Sequence, residues 1–115
     1  MLLQIEERQL DSGITCVEVA GKLALGRESQ RLETVAEQLA GKGAARVILD
    51  LTKLDYIDSA GIGILVLASG RVKQAGGKFA VVMGQGRVLD LLKTACVDTL
   101  LNINGTVESA SAAVA

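Results

Sequence analysis

The residues with the types and spacing to do chemistry are Asp58, Ser59, Gly61 and Gly63, within the run Tyr56, Ile57, Asp58, Ser59, Ala60, Gly61, Ile62, Gly63. They set a hydroxyl beside a carboxylate where a strand-like segment gives way to a helix-like one. A serine at such a place has three uses. It can cap the helix, help hold an anion on backbone donors that the first turn leaves free, or accept a phosphoryl group. Capping asks only for an oxygen near the unpaired amides and contributes about 1 kcal/mol, and Asp and Ser are both favoured for it. Two candidate caps side by side, followed by glycines that each cost roughly 1 kcal/mol relative to alanine in a helix, suggest that something needs close access to this backbone.

Little other chemistry is available. The chain has no histidine, and its two cysteines, Cys16 and Cys96, lie far apart in apolar surroundings. No zinc pattern results, and both cysteines read as small core residues. Neither a Ser-His-Asp nor a Cys-His arrangement can be built, and no lysine lies near Ser59 in sequence. We therefore expect no catalytic residue and no enzyme. Gly61 and Gly63 lack the third glycine of a dinucleotide fingerprint, and Gly84-Gln85-Gly86 lacks the lysine and hydroxyl of a phosphate-cradling loop. Neither is a nucleotide motif, Gly84 and Gly86 read as turn glycines, and no cofactor and no metal are expected.

Composition narrows the partners. Twelve basic and 13 acidic residues leave a net charge of −1, and Tyr56 and Phe79 are the only aromatics. Nothing here tracks a phosphate backbone or stacks bases, so nucleic acid is not an expected partner. No stretch approaches ~18 uninterrupted apolar residues, and the start of the chain turns acidic at Glu6 and Glu7 where a secretory leader would stay apolar. The expectation is a cytoplasmic protein without membrane insertion.

The elements that must position Asp58 and Ser59 follow from periodicity. Residues 2–10 and 14–20 read as a β-hairpin closed by Asp11, Ser12 and Gly13, residue types that tolerate unusual backbone angles. Over residues 28–39, Leu32, Val35, Ala36 and Leu39 recur at helical spacing, and Gly41 and Gly43 follow as stop signals. Residues 47–51 form a short β-branched run typical of a strand buried on both faces. Residues 62–72 carry Ile62, Leu65, Val66, Ser69 and Val72 at helical spacing, widened by Ile64 and Leu67, so this helix is apolar around most of its circumference. Asp58 and Ser59 fall at its N-cap. A strand over 79–83, a short helix over 87–93, a last strand over 100–103 and an alanine-rich helix over 107–115 complete the pattern. Strands alternating with helices predict a single α/β domain over residues 1–115: an N-terminal hairpin, then βα units, with helices packed on a mixed, mostly parallel sheet.

The stretch VILDLTKLDYIDSAGIG (residues 47–63), continuing through ILVLASGRVKQAGGKFAVV, resembles the STAS domain of anti-sigma factor antagonists, as does the later VLDLLKTACVDTLLNI (residues 88–103). The Asp-Ser-x-Gly-hydrophobic-Gly junction is the most specific part of the match. The resemblance implies a phosphorylation-controlled binding module. Ser59 matches the serine that a partner kinase phosphorylates, and Asp58 matches the acidic residue before it. The unmodified form would bind an anti-sigma factor serine kinase and the phosphorylated form would release it. Where many of these antagonists carry Gly-Glu-Leu-Asp, this chain has Gly21, Lys22, Leu23 and Ala24, losing both acidic positions. STAS domains also serve stress-signalling and lipid-transport complexes, so the alternative is a constitutive subunit with Ser59 as a plain helix cap. Asp58, Ser59, Gly61, Ile62, Ile64 and Leu67 are the expected partner-contact residues.

Overall fold

In the computed structural model, which describes residues 3–43 and 45–115, the strands are β1 (Gln4–Gln9), β2 (Ile14–Leu23), β3 (Arg46–Asp50), β4 (Leu54–Ile57), β5 (Lys78–Val82) and β6 (Ile103–Asn104). The helices are α1 (Arg27–Ala40), α2 (Ser59–Gln74), α3 (Arg87–Thr94), α4 (Asp98–Leu101) and α5 (Val107–Ala113). Alternation along the strands decides the layering. Val17, Val19, Val47, Leu49, Phe79 and Val81 belong to one core, with Leu32, Ala36 and Leu39 of α1, Leu65, Ala68 and Val72 of α2, Leu89 and Leu92 of α3, and Leu101 of α4. The intervening residues Cys16, Ile48, Ala80 and Val82 belong to a second, smaller core closed by Ala110 of α5 and by Val114. Burial on both faces is why residues 47–51 read as a continuous apolar run.

The sheet runs in the order β1-β2-β3-β5-β6, with β4 pairing β2. β1 and β2 are antiparallel, while β2–β3, β2–β4, β3–β5 and β5–β6 are all parallel. The predicted hairpin, mixed sheet and packed helices are thus present. The hairpin turn is a single 3-10 turn over Asp11–Gly13 with left-handed Ser12 and Gly13. Leu2, expected in the first strand, lies outside the described residues.

Three expectations need correction. β4 has no counterpart in the sequence pattern: its burial runs in, out, out, in along Leu54, Asp55, Tyr56 and Ile57, so it shows no period-two signal. Its register with β2 shifts at Gly21/Lys22. Residues 100–103 are not a strand. Asp98–Leu101 make a turn of helix ended by left-handed Asn102, and only Ile103–Asn104 pair with β5. A short apolar run cannot tell one turn of helix from a strand. Cys16 is buried as expected, but Cys96 is exposed and left-handed, just past the end of α3.

Candidate functional site

The candidate site forms where β2 and β4 end side by side and α2 begins. Leu23 pairs with Ile57 at the last step of this ladder, and the Asp58 amide donates to the Leu23 carbonyl at 3.3 Å. Asp58 is extended, and its Oδ1 accepts the Gly61 amide at 2.8 Å, the geometry of an N-cap carboxylate. Its Oδ2 accepts the Leu25 amide at 3.2 Å. These backbone donors, Gly61 first, hold the Asp58 carboxyl below its ordinary pKa because they stabilise the ionised form.

Ser59 is not a cap. It is the first helical residue, exposed, and its hydroxyl has no hydrogen-bond partner among the described residues. The two candidate caps therefore divide into one cap, Asp58, and one free hydroxyl. The plain-cap explanation of Ser59 falls with that division.

Gly61 also differs from expectation. It is buried, and a methyl group there would run into the Leu23 carbonyl oxygen and stand 2.8 Å from Ile57 Cγ1. Its small size lets the helix start seat against β2 and β4, so it offers no surface to a partner. Gly63 is exposed, and a methyl group added there would meet nothing within 4 Å. Ile62 and Ile64 are half-buried and packed against the main core, whereas Leu67 is 38% exposed. Ser59, Gly63 and Leu67 follow at i, i+4 and i+8, which sets them on one face of α2.

Three residues outside the expected partner contacts also stand at this site, and of these Leu25 had not been singled out in the sequence. Leu25 is 85% exposed in the loop from β2 to α1, and Tyr56 on β4 is 48% exposed. Lys22 lies opposite Tyr56 in the β2–β4 register, with its Nζ 4.9 Å from the ring centroid. This cation–π contact is worth about 0.5–1 kcal/mol at an exposed site. The reversal of charge at Lys22 thus has a local use, pairing the two strands that carry the site. The signal for Leu25 was a lone apolar residue between Ala24 and Gly26, beyond the periodic part of β2. Among the described residues no cluster could hold a metal ion, and no helix is long and apolar enough to cross a membrane.

A small α/β domain with a capped helix presenting a free serine beside the ends of two parallel strands has clear relatives. Residues 6–110 match the family model of the STAS domain, and the chain belongs to that family. BtrV of Bordetella bronchiseptica, named as an anti-sigma factor antagonist, is 28% identical over 85 residues, 74% of this chain and 73% of BtrV. The crystal structure of an anti-sigma factor antagonist from Mycobacterium paratuberculosis superposes with a TM-score of 0.82 at 19% identity, covering 97% of this chain and 93% of that one. The Bacillus cell fate determinant SpoIIAA in its phosphorylated form superposes with a TM-score of 0.73 at 13% identity, covering 97% and 100%.

Proposed function

We propose that this STAS domain is a phosphorylation-controlled protein-binding module of the anti-sigma factor antagonist type, working in the cytoplasm and not as an enzyme. With Ser59 unmodified it binds an anti-sigma factor that is also a serine kinase; with Ser59 phosphorylated it lets go. The observation that carries this reading is the exposed Ser59 hydroxyl at the first position of α2, without a hydrogen-bond partner among the described residues and next to a cap that does not need it. The resemblance to BtrV, and the existence of SpoIIAA in a phosphorylated form on the same fold, support it.

In the modification step Ser59 Oγ bonds to the γ-phosphorus of ATP held by the kinase. The bond from that phosphorus to the bridging oxygen of ADP breaks, and the serine proton leaves to a base on the kinase. The product carries about −1.5 to −2 charges on three acceptor oxygens, beside Asp58 and on the same face as Leu67. A partner docked here would have to desolvate that charge against an apolar surface, and any acidic group it presented would be repelled. Binding weakens without any change in the core.

The test is incubation with the cognate anti-sigma kinase and ATP, with mass spectrometry locating the phosphate and calorimetry reading affinity. One phosphate on Ser59, and a Ser59→Asp variant binding at least tenfold more weakly than the parent, is the expected result. No phosphate on Ser59, or parental affinity for Ser59→Asp together with parental affinity for the phosphorylated form, would sink the reading. In that case the domain is a constitutive STAS subunit.

A further inference from the structure

The Asp58 carboxylate reaches in two directions. Oδ1 caps α2 through the Gly61 amide at 2.8 Å, and Oδ2 takes the Leu25 amide at 3.2 Å, thirty-three residues away in sequence. Among the described residues no other side-chain hydrogen bond joins residues 24–26 to α2. Packing does not hold Leu25 either, since 85% of it is exposed. Gly26 follows with φ of 154° and nothing within 4 Å of an added methyl group, and its carbonyl accepts the Ser29 hydroxyl at 2.7 Å, so the loop is tied to α1 after Leu25 and Leu25 itself is left to Asp58.

We propose that Asp58 is a clip that fixes Leu25 in place beside Ser59, and that a phosphate on Ser59 opens it, so that modification moves an apolar side chain as well as adding charge. This rests on the reading that Ser59 is the phosphorylated residue. A phosphate on the first helical residue comes within reach of the first-turn amides, among them the Gly61 amide that Asp58 now uses. A dianion with three acceptor oxygens outcompetes a monoanionic carboxylate for those donors, and the two anions repel. Once Asp58 is turned off the Gly61 amide, its other oxygen no longer meets the Leu25 amide. Asp58 acts here as a positioning residue, because what it controls is where Leu25 points.

The experiment installs phosphoserine at position 59 by genetic encoding, without a kinase, and follows hydrogen exchange of the Leu25 and Gly61 amides by NMR. Loss of one charge-assisted hydrogen bond predicts that Leu25 exchanges about five- to tenfold faster in the phosphorylated protein. Asp58→Ala gives a similar acceleration without phosphate, and phosphoserine adds little more in that background. Asp58→Asn, which keeps the shape and one acceptor, gives an intermediate value and serves if Asp58→Ala does not fold. Leu25→Ala weakens binding of the unmodified domain to the kinase while leaving the melting temperature unchanged. Leu25 exchange within twofold of the unmodified protein in the phosphorylated form overturns the clip. Because the phosphate is placed without the kinase, a kinase that ignores Ser59 would defeat the proposed function and leave this measurement standing.

Discussion

Replacing Gly61 by alanine tests how the helix start is seated. A methyl group at this position would run into the Leu23 carbonyl oxygen and sit 2.8 Å from Ile57 Cγ1. Carbon atoms pack best from about 3.5 Å outward, so the first turn of α2 must retreat by about 0.7 Å or more from β2 and β4. The Asp58 amide already reaches the Leu23 carbonyl only at 3.3 Å, and that retreat breaks the bond. Overpacking costs about 1–3 kcal/mol and the lost hydrogen bond about 1 kcal/mol, while alanine recovers about 1 kcal/mol of helix propensity. The net loss is about 1–3 kcal/mol, a fall in Tm of roughly 4–15 °C for a domain of this size. Gly63, two residues on, is the control: nothing lies within 4 Å of its added methyl, so Gly63→Ala gains up to about 1 kcal/mol. Calorimetric melting reads both. Gly61→Ala melting with the parent, or the two variants shifting in the same direction, would refute the packing argument.

The other expectations concern caps and charge. Cys96 occupies the left-handed position after α3, with its amide bonded to the Lys93 carbonyl and the Val97 amide to the Leu92 carbonyl; α2 ends in the same pattern with Gly76 in that place. Cys96→Gly removes the left-handed strain and raises stability by about 0.5–1 kcal/mol in denaturant titration, and a loss would contradict it. The carboxyl of Asp58 is held below its ordinary pKa by the Gly61 and Leu25 amides, so its contribution is fully present above about pH 4–5 and disappears as pH falls through the lower folded value. The stability difference between the parent and Asp58→Asn is therefore flat from about pH 5 to 8 and closes below about pH 4. A difference that persists unchanged to about pH 2 would show that the cap does not depend on ionisation.

Where the sequence could be read, one periodicity governed. Leu32, Ala36 and Leu39 repeat every three or four residues and are all buried in α1, and the apolar run of β3 is buried on both faces as its composition implied, as is that of β5. The junction at Asp58 was legible because capping chemistry is local. What was not legible depends on partners distant in sequence. β4 exists because the end of β2 extends past β3 and offers a free ladder, a fact with no trace in Leu54–Ile57 alone. The buried state of Gly61 comes from the Leu23 carbonyl, 38 positions upstream, and glycine reads the same whether it faces solvent or another backbone. Ser59 and Asp58 were interchangeable as caps in sequence, and only the seating of the helix separated them. Cys96 looked like core because its neighbours are apolar, but it falls past the last turn of α3, in the left-handed position that ends the helix, and is exposed.

β2 is the strand on which everything else converges. Its ten residues pair with β1 along one stretch, with β3 along another and with β4 at the end, so three of the five ladders among the described residues share it. Those partners arrive from points as far apart as Gln4 and Ile57, which makes the assembled sheet a product of long-range closure, with the slow folding that such topology brings. The same arrangement places β1 at an outer edge, where Glu6, Glu7 and Arg8 stand exposed in a row. Charges of this kind keep a bare backbone from recruiting a second molecule strand to strand. The charged margin at β1 thus disfavours strand-to-strand pairing, while Leu25, Ser59 and Leu67 stand exposed at the β2–α1 loop and on α2.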